Sequence, residues 1–233
     1  ENDGRSTPSF TPRIINDDLD YPVSVFGADM DGDGDVDLLS ASRNDNRVQW
    51  YRNNGEPTPQ FAAAPINVSA QGAVSVQAGD LDGDGDMDVV SASENDDQIS
   101  WYRNDGELNP TFARQVIREA GGIAPDGIDF AKSVFVADVN GDAHLDIVYG
   151  SEDANEIGWY ENDGTANPTF LQHVVATNLI HIKQVFAADL DQDGDTDLFS
   201  ASSGDNRIAW YEHNGAASPT FAQHIVTDGA MGA

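Results

Sequence analysis

Four Trp-Tyr pairs, Trp50-Tyr51, Trp101-Tyr102, Trp159-Tyr160 and Trp210-Tyr211, mark the chain at intervals of 51, 58 and 51 residues. An Asp-rich nonapeptide keeps the same intervals, starting at Asp29, Asp80, Asp138 and Asp189. A period near 50 residues is the signature of a propeller or other repeat array, in which no unit buries its apolar face alone. The third unit is seven residues longer than its neighbours. The excess falls in residues 119–129, where Gly and Pro dominate, and reads as a surface loop insertion.

Each unit reads as four short strands. In the first, residues 23–28 lead into the Asp loop, 38–42 follow it, 47–52 rise to a turn at Asn53-Asn54-Gly55, and 61–67 close the unit. The third connection carries Asn54-Gly55, Asp105-Gly106, Asp163-Gly164 and Asn214-Gly215, pairs suited to turns with positive φ. No long segment keeps a helical apolar period, so helices should be few. The expectation is an all-β chain, a β-propeller-type array of four-stranded antiparallel blades at 21–70, 71–120, 121–178 and 179–233. Residues 1–15 align with the stretch that begins at Glu161 and read as one extra N-terminal strand, so 1–20 is set apart as an orphan outer strand. Unpaired blade edges invite strand addition from another chain.

The nonapeptides carry the chemistry. They read Asp29-Met-Asp31-Gly-Asp33-Gly-Asp35-Val-Asp37, Asp80-Leu-Asp82-Gly-Asp84-Gly-Asp86-Met-Asp88, Asp138-Val-Asn140-Gly-Asp142-Ala-His144-Leu-Asp146 and Asp189-Leu-Asp191-Gln-Asp193-Gly-Asp195-Thr-Asp197. Oxygen donors at alternate positions of a tight loop suit a hard cation such as Ca²⁺. Carboxylates packed so closely repel one another unless a cation lies between them.

The net charge is −30, from 41 acidic and 11 basic residues. Eighteen of the acidic residues lie in the nonapeptides, so much of the imbalance is ligand charge. The acidic remainder argues against nucleic acid and anionic membranes as partners. There is no cysteine, hence no disulfide framework and no thiol chemistry. No apolar run is long enough for a membrane-spanning helix. The opening Glu1-Asn2-Asp3-Gly4 falls in mid-repeat, which reads as a processed or excised product.

The unit Val-Phe-Ala-Ala-Asp-Leu-Asp-x-Asp-Gly-Asp-x-Asp-Leu-x-Ser-Ala-Ser, followed by Ile-x-Trp-Tyr-Glu and Pro-Thr-Phe, resembles the FG-GAP/VCBS repeat family over almost the whole chain. That family includes the calcium-bearing blades of integrin α-subunit propellers and many secreted bacterial proteins. In its motif, positions 1, 3, 5 and 9 give side-chain oxygens and position 7 a backbone carbonyl. The resemblance therefore implies one Ca²⁺ per repeat, four in all. Its ligand sets are Asp29, Asp31, Asp33 and Asp37 with the carbonyl of Asp35; Asp80, Asp82, Asp84 and Asp88 with that of Asp86; Asp138, Asn140, Asp142 and Asp146 with that of His144; and Asp189, Asp191, Asp193 and Asp197 with that of Asp195. The third loop has one carboxylate fewer and Ala143 in place of the sixth-position Gly, so it is expected to be the weakest site.

An EF-hand is a poor rival, because it needs a bidentate Glu at position 12 and flanking helices. Three of the loops have Ser40, Ser91 and Ser200 there, and the flanks read as strands. The Trp-Tyr pairs could stack on sugars. Adjacent strand residues face opposite ways, however, so core packing on both sides of a blade is the better expectation. The segments 44–46, 95–97, 153–155 and 204–206 read as polar turns before they read as ligand contacts. No nucleophile elbow, phosphate loop, dinucleotide fingerprint or paired His motif is present. Asp residues held by a cation cannot carry protons near neutral pH. Catalysis has no candidate residues, and the chain reads as a non-enzyme. The functional expectation is a secreted or cell-surface structural or adhesive module that meets other protein chains, including copies of itself. A carbohydrate-binding propeller, or an accessory module of a polysaccharide-active enzyme, is the alternative.

Overall fold

In a computed structural model, residues 11–118 and 131–230 are described. The first blade comprises β1 (Pro22–Ala28), β2 (Asp37–Ser42), β3 (Arg47–Asn53) and β4 (Phe61–Asn67). The second comprises β5 (Ala73–Gly79), β6 (Asp88–Ser93), β7 (Gln98–Asn104) and β8 (Phe112–Arg118). In the third are β9 (Ala131–Ala137), β10 (Asp146–Ser151), β11 (Glu156–Asn162) and β12 (Phe170–Thr177). The fourth holds β13 (Ile182–Ala188), β14 (Asp197–Ser202), β15 (Arg207–His213) and β16 (Phe221–Thr227). Each blade is an antiparallel meander in sequence order. Register repeats with it, since Leu39, Val90, Val148 and Phe199 stand opposite Trp50, Trp101, Trp159 and Trp210. No helix occurs among the described residues.

Blades stack through their innermost strands, β1 on β5, β5 on β9 and β9 on β13. Successive strand residues point to opposite faces. Trp50, Trp101 and Trp159 therefore enter the interface with the following blade, and Tyr102, Tyr160 and Tyr211 the interface with the preceding one. Trp50 and Tyr102 share one apolar cluster, Trp101 and Tyr160 the next, Trp159 and Tyr211 the third. Trp50 and Trp101 each meet the edge of a Phe from the following blade, Phe112 and Phe170, at 6.2 and 6.1 Å. Burial this deep, with Trp101 and Trp159 each 2% exposed, removes the rings of the first three blades as sugar platforms. The third blade varies the design. Tyr149 replaces the Ser that hydrogen-bonds the blade Tyr elsewhere, as Ser40 does with Tyr51 at 3.2 Å. Its hydroxyl fits because Gly158 lies alongside, where a Cβ would clash with it.

The polar segments foreseen as turns are turns. Asn46, Asp97, Asn155 and Asn206 adopt φ of 54–56°, the left-handed region that Asn and Asp tolerate best. They also tie blades together. The carbonyls of Asn46 and Asn155 accept the N–H groups of Ala70 and Leu179 at 3.0 and 2.9 Å, on the linkers to the next blade. A charge ladder adds to this. Glu94, 1% exposed, takes Arg43 of the first blade and Lys132 of the third, and Lys132 reaches on to Glu152 at 2.9 Å. Glu152 in turn holds Lys183 of the fourth blade at 2.5 Å.

The expected insertion at 119–129 and residues 1–10 lie outside the described residues. Residues 11–20, the rest of the foreseen orphan strand, pair with no strand among the described residues. Even so, Asn16 Nδ2 donates to the Tyr51 hydroxyl at 3.4 Å, as Asn67 Nδ2 does to Tyr102 at 2.8 Å. The segment thus holds the lateral position of an outer strand without the sheet that would pair with it.

Candidate metal centres

Each Asp loop joins the innermost strand of its blade to the second strand. Its first carboxylate folds the loop by accepting backbone amides. Asp80 Oδ1 takes the N–H groups of Gly83 and Asp84 at 2.8 and 3.1 Å, and Oδ2 that of Gly85 at 3.0 Å. Asp138 repeats the pattern with Gly141, Asp142 and Ala143. Asp189 takes Gln192 and Gly194 at 2.7 and 3.1 Å, and Asp29 takes Gly34 at 2.9 Å. These turns require positive φ at positions 4 and 6. Gly32, Gly34, Gly83, Gly85, Gly141 and Gly194 supply it without strain, whereas Ala143 and Gln192 adopt it at 70° and 65° despite their side chains. The expected departure at Ala143 is therefore matched by an unforeseen one at Gln192 in the fourth loop.

The ninth-position Asp anchors the loop to the blade. Asp37 is fully buried and accepts Met30 N at 3.2 Å, Asn53 N at 2.7 Å and Trp50 Nε1 at 2.9 Å. Asp88, Asp146 and Asp197 accept the equivalent pairs of backbone amides. Burial pushes the Asp88 and Asp146 carboxyls up to about 7, against those hydrogen bonds. Burial also raises Asp31 and Asp82, opposed in each case by a neighbouring guanidinium. Asp35, Asp86 and His144, at position 7, lie over the glycines of the third connection. A Cβ on Gly55, Gly106 or Gly164 would clash with these side chains.

Three loops bring carboxylates together. Carboxylate oxygens of Asp29, Asp31 and Asp33, of Asp80, Asp82 and Asp88, and of Asp189, Asp191 and Asp197 lie within 4.8 Å of one another. The third loop forms no such three-carboxylate group among the described residues, since Asn140 stands at its position 3. A cation fits the first loop on a separate ground, because Asp29 Oδ1 and Asp31 Oδ1 are buried without a hydrogen-bond partner. Such oxygens are costly to leave unpaired.

Two side chains beside these loops had no place in the sequence reading. Arg52 Nε lies 2.6 Å from Asp31 Oδ2 and Arg103 Nε 2.5 Å from Asp82 Oδ2, and both aspartates have side chains shut off from solvent. In the third and fourth blades the residue after Trp-Tyr is Glu161 or Glu212. Each pairs at 2.7 Å with a histidine, His173 or His224, that stacks at 4.6 Å on Trp159 or Trp210. The signal was present in the repeat alignment as Trp-Tyr-Arg against Trp-Tyr-Glu.

The model of the FG-GAP-like repeat matches residues 29–91, 80–149, 138–200 and 189–233. No curated protein matches the chain. Among solved structures, it is similar to an Agrocybe aegerita lectin that recognises non-reducing terminal N-acetylglucosamine, at 21% identity and TM-score 0.57, covering 87% of this chain and 52% of that one. It is also similar to BBS1N in complex with ARL6, at 16% identity and TM-score 0.57, covering 89% and 57%. A periplasmic gluconolactonase of Pseudomonas aeruginosa, PpgL, follows at 15% identity and TM-score 0.52, covering 90% and 57%. This chain spans little more than half the length of those proteins. What it shares with them is the fold.

Proposed function

The chain belongs to the FG-GAP-like repeat family, whose model matches it four times in succession between residues 29 and 233, and from that premise we propose an extracellular, calcium-stabilised, non-catalytic module that docks other protein chains. Asp29, Asp31, Asp33 and Asp37 and their counterparts in the other blades hold Ca²⁺, with the carbonyls of Asp35, Asp86, His144 and Asp195. The cation supplies charge neutralisation and a rigid cross-link across each loop. Extracellular modules bind Ca²⁺ at about 10⁻⁴–10⁻³ M, a range met outside cells and not in cytosol.

One observation carries the docking role. The apolar faces at the two ends of the array are open where their interior counterparts are closed. Val25 is 74% exposed, against 0%, 2% and 2% for Val76, Val134 and Val185. Leu190 is 50% exposed, against 1%, 2% and 1% for Met30, Leu81 and Val139. A face built to the pattern of a blade interface fits another blade of the same repeat, and that is the occupant proposed. At the Val25 end the 11–16 segment would pair with the incoming sheet as its outer strand, a form of strand addition.

Light scattering of the Ca²⁺-loaded chain tests this. Association that grows with concentration and is lost in Ile208→Asp is expected, since Ile208 is 37% exposed where its counterparts Val48, Ile99 and Ile157 are fully buried. A monomer at tens of micromolar refutes docking between copies. Calcium is tested separately. Four sites at ten times Kd contribute roughly 6 kcal/mol, so EDTA should lower Tm by about 10–20 °C. An unchanged melt removes the calcium reading.

A second reading, glycan binding, draws support from two equivalent clefts. One, of about 380 Å³, is lined by Asp33, Arg52, Asn54 and Gln60, and the other, of about 320 Å³, by Asp84, Arg103, Asp105 and Thr111. Binding on a glycan array by the Ca²⁺-loaded monomer would favour it.

A further inference from the structure

We infer that the residue following each Trp-Tyr pair sets the calcium affinity of its blade, with Arg52 and Arg103 weakening the first two sites and Glu161 and Glu212 strengthening the last two. The inference rests on the calcium reading above. It reverses the ranking that loop composition alone suggests, in which the third site is weakest.

In the first blade the guanidinium of Arg52 contacts Asp31 at 2.6 Å and approaches Asp33 at 3.6 Å. Arg103 contacts Asp82 at 2.5 Å and Asp84 at 3.3 Å. Both arginines therefore sit on carboxylates at positions 3 and 5, two of the ligand positions. In the third blade Glu161 Oε1 lies 3.5 Å from Asn140 Nδ2, beside the one loop that lacks a position-3 carboxylate. Glu212 holds the equivalent repeat position in the fourth blade, and counted with the residue at that position the four ligand side chains carry three negative charges in the first and second blades, four in the third and five in the fourth. Ligand charge is one of the two quantities that tune affinity at oxygen sites of this kind.

Two effects of the arginines oppose one another. A hydrogen bond to a ligand carboxylate orients it and strengthens binding. A positive charge beside the site repels the cation. Charge wins here, because the loops do not depend on arginine for their shape. The fourth loop has no arginine at this position, yet Asp189 accepts the N–H groups of Gln192 and Gly194 as Asp80 accepts those of Gly83 and Gly85. The side chains of Arg52 and Arg103 are 34% and 38% exposed, so screening reduces the effect without abolishing it.

Calorimetric Ca²⁺ titration of the full chain tests the assignment. The unaltered protein should show two weaker sites and two tighter ones, the fourth blade's tightest. Arg52→Gln with Arg103→Gln should tighten the weaker class by about five- to tenfold, the scale of a unit charge acting on a nearby divalent ion through solvent. Glu161→Gln with Glu212→Gln should loosen the tighter class by a similar factor. Weaker or unchanged binding in the arginine variant, with circular dichroism as for the unaltered chain, overturns the inference and leaves the calcium reading intact. If the unaltered chain takes up no Ca²⁺, the calcium reading itself fails. Should the glutamine variant lose its fold, Arg52→Lys with Arg103→Lys keeps the charge but not the fork. Affinity unchanged in that pair supports charge as the cause, and a drop assigns the arginines to orientation instead.

Discussion

Replacing Asp37 with alanine should cost the protein about 3–6 kcal/mol whether or not calcium is present. Asp37 is fully buried, and its two oxygens accept three donors, Met30 N, Asn53 N and Trp50 Nε1, at 3.2, 2.7 and 2.9 Å. Alanine leaves all three facing a small void. Each buried donor without a partner costs roughly 1–3 kcal/mol, and water entering the space recovers part of it. Part of the loss is also offset by no longer burying a charge. Asp33→Ala is the control. Asp33 is exposed near the loop tip, with Asp35 N bonded to its Oδ1 at 3.0 Å, and its proposed role is as a Ca²⁺ ligand. Urea unfolding of both variants, in Ca²⁺ and in EDTA, separates the roles. Asp37→Ala should stay destabilised in both buffers, whereas Asp33→Ala should differ from the unaltered chain mainly in Ca²⁺. If Asp37→Ala lies within 1 kcal/mol of the unaltered protein in EDTA, the anchoring argument is wrong.

Stability should depend on pH in opposite senses with and without calcium. Asp88 and Asp146 have folded-state values raised to about 7, so the folded chain binds their protons more tightly than the unfolded chain. In EDTA their contribution is full below the ordinary carboxylate range and is lost as pH rises towards 7, so Tm should fall between pH 5 and pH 7.5. In saturating Ca²⁺, protons compete with the cation, and Tm should rise over the same interval. A falling Tm in both buffers would refute the cation's role. Ala143→Gly should stabilise the protein by about 1 kcal/mol, because Ala143 holds φ of 70° where glycine is free of strain. Gln192→Gly, at φ of 65°, should behave alike, and chemical denaturation that shows no gain in either variant would count against strain in these loops.

Local information along the chain carried most of the architecture. The repeat spacing, the Asn-Gly and Asp-Gly turns and the short apolar runs gave four strands per blade and located those of the first, because turn chemistry and strand alternation act over a few residues. The folding of the Asp loops was legible for the same reason, since carboxylates two residues apart need only their own backbone to converge. What tertiary structure decided lies between blades and between strands distant in sequence. Asp37 reaches Asn53 and Trp50 across two strands, and Lys132 bridges Glu94 and Glu152 across the second and third blades. Arg52 falls on Asp31 only because β3 runs back beside the loop that precedes β2. No spacing in the sequence distinguishes that arginine from a solvated one. The backbone of the Asp loops was therefore written locally, while the charge around them was assigned by the folding of the blade, which alone fixes which side chains share a buried volume.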